Sequence, residues 1–316
     1  MRKTSISILL ALMVWSAQSQ DKTVKGLQGE AGRDITKDPN DTIVKTWKVG
    51  GLMSATLNQG ALSNWSAGGD KSTLSLNSLV SLFAYYSKGK HSWDNTLDLA
   101  YGLVNTTSLG MRKSDDRIDI LSKYGYRISK KSWYLSGLFN FRTQFAKGYN
   151  YPADGSKVLT SDFMAPAYIL LSPGLNYKPN DNFSVFLSPI TAKWTIVNND
   201  SLSAQGAFGV DPGSKSRLEV GAFASVTYKK KFSDNIAYSG RLDLFSNYKH
   251  KPQNVDLYMT NLLLFKITKL IAVSFSVDMI YDDDTKSVNE DGTQGGPKLQ
   301  LKETLGVGLV YKFRNF

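Results

Sequence analysis

Apolar and polar side chains alternate along most of the chain from Trp47 onward. A clear example is "VSFSVDMIY" at residues 273–281, where every second residue is apolar and the residues between are mostly serine or aspartate. A period of two is typical of a strand with one apolar and one polar face. The pattern predicts twelve strands, at 47–59, 73–87, 91–106, 116–129, 132–146, 164–177, 182–197, 216–230, 235–248, 255–267, 270–281 and 299–313.

The predicted strands are long, and their connections fall into two classes. Many strands exceed the usual length of about five or six residues, and a tilted stretch of about nine to eleven residues crosses a membrane in a barrel. Short connections such as "SKGKHS" alternate strictly with long ones such as "TTSLGMRKSDD". Bacterial outer-membrane barrels have short periplasmic turns and long extracellular loops. The even strand number then places both chain ends on the periplasmic side.

These features predict an all-β fold, an antiparallel transmembrane β-barrel of about twelve strands. A secreted β-sandwich explains the alternation equally well. It does not require long strands, alternating loop lengths or aromatic residues bunched at strand ends. Such aromatic residues are typical of a girdle at the membrane interface. The predicted girdle consists of Tyr85, Tyr86, Trp93, Tyr124, Tyr126, Trp133 and Tyr134.

The N-terminus has the pattern of a secretory signal peptide. A basic "MRKTS" precedes the apolar stretch 6–15, and small residues follow at Ala17 and Ser19, so residues 1–19 are predicted to be removed. Residues 20–46 are polar and aperiodic and predict a flexible periplasmic arm before a barrel at 47–316. Loss of Arg2 and Lys3, two positive charges, lowers the formal net charge from +11 to +9. The absence of cysteine excludes a disulfide framework and an acylated cysteine.

Charges of both signs fall on the predicted inward face. Opposite charges on adjacent strands pair readily, whereas a selective pore would show a ring of one sign. A twelve-stranded barrel is narrow enough to be filled by such side chains, so we expect a closed or nearly closed lumen. Arg217 and Glu219 are expected to neighbour Arg241 and Asp243 on the next strand. The predicted lumen charge network comprises Asp94, Asp98, Arg117, Asp119, Lys123, Arg142, Arg217, Glu219, Arg241, Asp243, Asp278 and Lys302.

Charges outside the strands are sorted by the type of connection. Basic residues gather at the short turns, where anionic lipid headgroups are favourable neighbours, and acidic residues such as Asp115 and Asp116 gather in the long loops.

Pro173 and Pro189, each in an "LSP" triplet, predict β-bulges. Despite the basic balance, nucleic acid is not an expected partner outside the cell.

The sequence offers little chemistry. Of its two histidines, His91 falls in a short turn and His250 near a long loop, so they lie at opposite ends of the predicted barrel. His250 could approach Asp282, Asp283 and Asp284 across loops, which leaves a rim hydrolase as a remote third function. The acidic run "DDDTKSVNEDG" lacks the calcium-loop spacing. We therefore predict no enzyme, no catalytic residue, no metal and no cofactor.

Several motifs together resemble an uncharacterised family of outer-membrane barrel proteins common in the Bacteroidota. They are "WKVGG", "NWSAGGDKS", "LSPITAKWTIVNNDSLSAQGAFGV", "EVGAF" and "LDLFSNY". The resemblance implies an outer-membrane location and no settled activity. In the second motif Asn64, Trp65, Gly68 and Gly69 are predicted to cap the barrel mouth or to dock a partner. Phe316, with Phe313, resembles the sorting signal that the barrel-insertion machinery recognises.

Two functions follow from these observations. The first is a structural or accessory subunit of an outer-membrane assembly in a Gram-negative bacterium, with lipids, the insertion machinery and other outer-membrane proteins as partners. The alternative is a small passive porin-like channel for polar solutes.

Overall fold

A computed structural model of the protein describes residues 46–61, 72–129, 132–152, 156–180, 182–233, 235–249, 251–268, 271–281 and 296–315. Within these ranges lie fourteen strands, one short helix, α1 (Asp200–Ala204), and a 3-10 turn at Ala207–Gly209. The strands are β1 (Trp47–Ala61), β2 (Ser72–Lys88), β3 (His91–Thr106), β4 (Gly110–Arg127), β5 (Trp133–Thr143), β6 (Gly148–Asn150), β7 (Val158–Ser161), β8 (Ala167–Asn180), β9 (Phe183–Ile196), β10 (Ser216–Lys231), β11 (Ile236–Asn247), β12 (Val255–Lys266), β13 (Ile271–Tyr281) and β14 (Gln300–Arg314).

Twelve of the strands close into one barrel, which confirms the predicted fold class. Each strand pairs antiparallel with its neighbours in chain order, and β1 pairs with β14 to complete the ring. Closure leaves no unpaired edge, so the ladder satisfies the backbone groups on both sides of each strand. The remaining two strands, β6 and β7, form a small separate hairpin in the connection between β5 and β8.

The two ends of the barrel differ in their connections. One end, called the turn end, carries the short connections and both ends of the barrel sequence, and the opposite end is called the loop end. Strict alternation of length was wrong at one connection, because β3 and β4 are joined at the loop end by only Thr107, Ser108 and Leu109. The polar "GMRKSDD" continues the ladder from Gly110, with a bulge where Gly102 pairs with Asp115 and Leu103 with Lys113. Paired strands satisfy their backbone groups in water as well as in lipid, so polar residues did not end this strand.

Alternation places the larger apolar side chains on the outer surface. Leu57 is 62% exposed and Leu305 is 70% exposed, and similar residues cover the other strands. The outward residues of β3 and β13 are those that the period of two predicted. An apolar exterior of this extent differs from the small patches of soluble monomers.

Aromatic residues gather on the outside at the turn end. Trp47, Tyr86, Trp93 and Tyr124 succeed one another in register across β1 to β4. The ring centroids of Trp47 lie 5.2 Å from Tyr86 and 6.0 Å from Trp93. This row confirms part of the predicted girdle, to which Tyr126 and Trp133 also contribute outward rings.

Two members of the predicted girdle face the lumen instead. Tyr85 pairs in register with Asp94, and Tyr134 with Arg127, on the inward face of the wall. Tyr134 accepts hydrogen bonds from the guanidinium of Arg127 at 2.9 and 3.1 Å. In both cases a neighbouring aromatic residue takes the outward position, because adjacent residues of a strand point to opposite faces.

The predicted bulge at Pro189 is present, whereas β8 is regular against β5 around Pro173. The register of β9 shifts by one residue against both neighbours near Pro189, while Gly137 pairs regularly with Pro173. Ser188 Oγ donates to the Pro173 carbonyl at 2.6 Å. The extra residue in β9 reverses the faces beyond it, so that Thr191 and Lys193 point inward.

The long connections β5–β8 and β9–β10 pack together at the loop end. Ala165, Val197, Leu202 and Val210 form a buried apolar cluster there. The side chain of Asn199 caps α1 by accepting from the Leu202 backbone N–H at 3.2 Å. These contacts give the two connections a fixed shape of their own.

Candidate functional site in the barrel lumen

Inward side chains of the strands from β3 to β12 are largely buried, although a wide barrel would expose them to water. They are polar as well as apolar, and most keep less than a tenth of their surface accessible. Buried inward residues include Thr96, Asp98, Arg117, Asp119, Ser136, Leu138, Ser172, Phe186, Thr191, Glu219, Phe223, Asp243, Phe245, Asp256 and Thr260. The side chains therefore fill this part of the lumen.

One group of charges is centred on Arg117, which is fully buried. Its guanidinium lies in the field of Asp115, Asp119 and Asp98. Asp119 also accepts from Arg142 Nε at 3.1 Å. Buried charges need such partners, because an unpaired ion in a low dielectric is costly. The carboxylates here hold both arginines in place.

A second group lies on β9, β10 and β12. Arg217 donates to Glu219 at 2.9 Å on the same strand. Lys193 Nζ lies 3.5 Å from Glu219 and 3.6 Å from Asp256, and 5.1 Å from the ring centroid of Phe245. Sequence reasoning missed Lys193 and Asp256. The alternation of Thr191, Lys193 and Thr195 could have revealed Lys193 if the bulge had been used to reverse the faces of β9.

Arg241 and Asp243 form a third pair on β11, with the guanidinium 2.7 Å from the carboxylate. The expectation that this pair neighbours Arg217 and Glu219 was wrong. The β10–β11 register pairs Arg241 with Thr227 and Gly221 with Asn247, which sets the two charge pairs apart along the barrel. Register depends on the whole ladder, so single strands could not reveal this offset.

An apolar cluster lies among these charges inside the lumen. Leu138, Phe186, Phe223 and Phe245 are buried together, with Leu121 and Leu170 packed against them. Phe223 and Phe245 are register partners, and the ring centroids of Phe186 and Phe223 are 6.2 Å apart. Inward leucine and phenylalanine side chains exclude water from the space that they fill, and this cluster is called the apolar belt.

A cavity of about 70 Å³ adjoins the apolar belt. Arg142, Lys193 and Arg241 contribute three positive charges to its lining, and Asp243 is the one acidic residue among the lining residues. The neutral part of the lining is aromatic, aliphatic and amide: Leu138, Asn140, Tyr168, Leu170, Phe223, Leu244, Phe245 and Tyr258. This combination suits an anion with an apolar part.

Asp116 has a role that the sequence did not indicate, since it was grouped with the acidic residues of the long loops. Its carboxylate is fully buried and accepts from the backbone N–H groups of Phe145 and Ala146 at 2.7 and 2.8 Å. Lys113 Nζ donates to it at 2.8 Å and also to the Ala146 carbonyl. Asp116 therefore fastens the β5–β8 connection to the end of β4.

Four other predicted network residues are partners in the strand register. Asp94 pairs with Lys123 and Asp278 with Lys302 along their ladders. Phe313 faces outward, and its ring stacks at 6.3 Å from Tyr311. The predicted residues Asn64, Trp65, Gly68, Gly69, His250, Asp282, Asp283, Asp284 and Phe316 lie outside the described residues, as do residues 1–45, which hold the predicted signal peptide and nearly all of the predicted arm.

Among the residues that the structure describes, few reactive side chains lie close together outside the lumen. His91 Nδ1 lies 2.6 Å from the Tyr124 hydroxyl on the outer surface of the turn end. Within the ranges given above, no group of three or more histidine, cysteine or carboxylate side chains could hold a metal ion. Among the same residues, no helix is long and apolar enough to cross a membrane.

Comparison with known proteins gives a partial family match. The model of a "protein of unknown function (DUF3078)" matches residues 57–149, from β1 to β6. This agrees with a resemblance to an uncharacterised family and carries no information about the Bacteroidota. A search of the curated proteins returns no match.

Solved barrels resemble the chain only remotely. The COG4313 outer membrane channel from Pseudomonas putida F1 is 13% identical, with a TM-score of 0.41, over 88% of this chain and all (100%) of that one. The NanC porin is 8% identical, with a TM-score of 0.39, over 83% and 100% of the two chains. The P. putida toluene transporter TodX is 13% identical, with a TM-score of 0.33, over 87% and 80%. Resemblance at this level says nothing of what this chain transports or binds.

Proposed function

We propose that the chain is an integral outer-membrane barrel with a closed lumen, and that it serves as a non-enzymatic structural or accessory subunit of an outer-membrane assembly. Its apolar outer wall supports the membrane location. Trp47, Tyr86 and Trp93 border that wall at the turn end, and Tyr101 and Trp194 face outward nearer the loop end. Aromatic residues at both borders of an apolar band suit the two interfaces of a bilayer.

The observation that carries the closed-lumen part is the burial of the inward side chains. Phe186 and Phe245 in the apolar belt are 3% and 4% exposed, and the charged residues around them are paired. A water-filled passage would expose these groups. A barrel that is filled in this way acts through contacts of its outer surfaces with other proteins and not by passing solutes.

The docking part rests on apolar side chains at the loop end. Met111 is 69% exposed and Leu109 44% exposed, on the β3–β4 hairpin. Phe145 and Phe163, on the adjoining β5–β8 connection, are 45% and 53% exposed. Asp116 fastens the β5–β8 connection to β4, the second strand of this hairpin. Exposed apolar patches on a fixed scaffold are typical of protein interfaces, and these four residues are called the loop-end patch.

Affinity purification of the tagged protein from its native outer membrane tests this function. We expect a partner in fixed ratio with the wild type, and its loss in the Met111→Lys variant, which places a charge in the loop-end patch. Ile128→Lys is the matched control, because Ile128 is 54% exposed beside a connection at the turn end. Recovery of the wild-type chain without a partner in fixed ratio would contradict the proposed accessory role.

A second candidate is a narrow channel for polar solutes. It is favoured by the inward residues of β1 and β2, most of which are only half-buried, such as Ser54, Thr56 and Asn77. Discrete conductance steps from the purified protein in a planar bilayer would favour this function.

A further inference from the structure

We propose that the lumen cavity binds a small organic carboxylate of two or three carbon atoms. We expect this binding in the purified barrel, whether or not the chain docks a partner or conducts. Three features of the cavity carry it: the charge of its lining, the way the cations are held, and its size.

The lining is richer in cations than the network that surrounds it. Arg142, Lys193 and Arg241 line the cavity together with a single carboxylate, Asp243. The other carboxylates that pair with the first two cations, Asp119, Glu219 and Asp256, are not among the lining residues. The cavity therefore presents positive charge to an occupant, while the balancing carboxylates lie behind the cations.

These carboxylates also fix the cations in place. Asp119 holds Arg142 Nε at 3.1 Å, and Asn140, another lining residue, accepts from Arg142 Nη2 at 3.1 Å. Lys193 lies over the ring of Phe245. Charged side chains that are already ordered lose little conformational freedom when an anion binds. A carboxylate suits the fork of an arginine and the point charge of a lysine.

Size and the apolar lining narrow the class of anion. A cavity of about 150 Å³ holds benzene, and the volume here, about 70 Å³, is roughly half of that. Leu138, Leu170 and Phe223 supply apolar contacts on the same cavity. A methyl or ethyl group gains from such walls, whereas a fully polar oxyanion such as phosphate gains nothing there.

Calorimetric titration of the refolded full-length chain in detergent with sodium propionate tests the site. We expect saturable binding of propionate and none of propionamide, its neutral isostere, at the same concentrations. Phosphate serves as the second anion. Phosphate binding as tight as that of propionate would overturn the assignment to a carboxylate, and absence of propionate binding at millimolar concentrations would overturn the site.

Variants locate the site. Lys193→Gln should weaken propionate binding by about tenfold or more, since it removes a hydrogen bond between charged groups, and Lys193→Arg should restore most of the affinity. Asp243→Asn should tighten binding several-fold by removing the one negative charge of the lining. Lys230→Gln, at the turn end on β10, is the matched control and should bind as the wild type does. Circular dichroism confirms that each variant folds, and unchanged affinity in folded Lys193→Gln and Asp243→Asn would refute the proposal.

Discussion

Two parts of the barrel wall differ in what they contribute to the lumen. The packed wall, β4, β5 and β8 to β12, sends in buried aromatic rings, leucines and paired charges. The seam wall, β13, β14, β1 and β2, contributes small residues at mid-height, including Gly306, Gly308 and Thr56, and much of its inner face is only half-buried. The packed wall therefore fills its part of the lumen more completely than the seam wall does. This filling depends on the packing of particular side chains and not on the diameter of a twelve-stranded barrel alone.

The largest difference is expected from removing one phenylalanine from each wall. Phe245→Ala, in the packed wall, should lower the free energy of unfolding by about 3–5 kcal/mol, because a buried ring leaves a cavity. Phe83→Ala, on the inward face of β2, should cost about half as much, since its ring is already half-buried. Urea titration followed by tryptophan fluorescence in lipid vesicles measures both. Equal losses would remove the distinction between the walls.

A smaller loss is expected at the loop end of the packed wall. Asp116→Ala leaves the N–H groups of Phe145 and Ala146 and the ammonium of Lys113 without their shared acceptor. We expect a cost of about 2–4 kcal/mol in the same titration, because these are charge-assisted hydrogen bonds to a buried group. Asp211→Ala, at an exposed loop position, is the control and should change little. Proteolysis of the β5–β8 connection should also become faster in Asp116→Ala alone.

The two walls should also respond differently when one of their glycines is replaced by alanine, which adds a single methyl group. An alanine at Gly221, in β10 of the packed wall, would place its Cβ against the backbone oxygen of Ser246. At Gly306, in β14 of the seam wall, the nearest atoms would be the Thr56 methyl at 3.5 Å and the Ser274 hydroxyl at 3.6 Å. Gly221→Ala should therefore cost about 1–3 kcal/mol, and Gly306→Ala should be close to neutral. A larger loss at Gly306 would contradict a roomier seam wall.

The smallest effect is expected outside both walls. The hydrogen bond and charge of Lys215, 2.9 Å away, lower the pKa of the exposed Asp200 carboxyl on α1. Lys215→Ala should raise that pKa toward its ordinary value, as followed by carboxyl NMR during a pH titration. The pair favours the folded state above the ordinary pKa of aspartate and loses this contribution as the pH falls through the lowered value. Solvent and salt screen a pair that is so exposed, so the free energy of unfolding of the barrel should not change in Lys215→Ala.

The sequence pattern predicted the fold well, because the alternation within a single strand is enough to identify its apolar and its polar face. The period of two placed all twelve barrel strands and the outward residues of β3 and β13. It failed where the structure depends on two strands at once. The offset between the Glu219 and Asp243 pairs follows from register, and the inward direction of Lys193 follows from the bulge at Pro189.

The candidate site was predictable only in its composition. Charges of both signs indicated a filled lumen, and Asp98, Arg117, Asp119 and Arg142 do lie together. Asp116 was grouped with the acidic residues of the long loops, because the polar run "RKSDDR" does not show that another connection covers it. The cavity and the apolar belt bring together residues from several strands, which local patterns cannot relate.

Recordings from the purified protein in a planar bilayer show most directly whether side chains close the lumen. We predict no conductance steps from the wild type, because the apolar belt and the paired charges fill the passage. Phe245→Ala, which removes part of the belt, should produce openings if the variant folds. Regular, discrete conductance steps from the wild-type barrel would mean that the lumen is open.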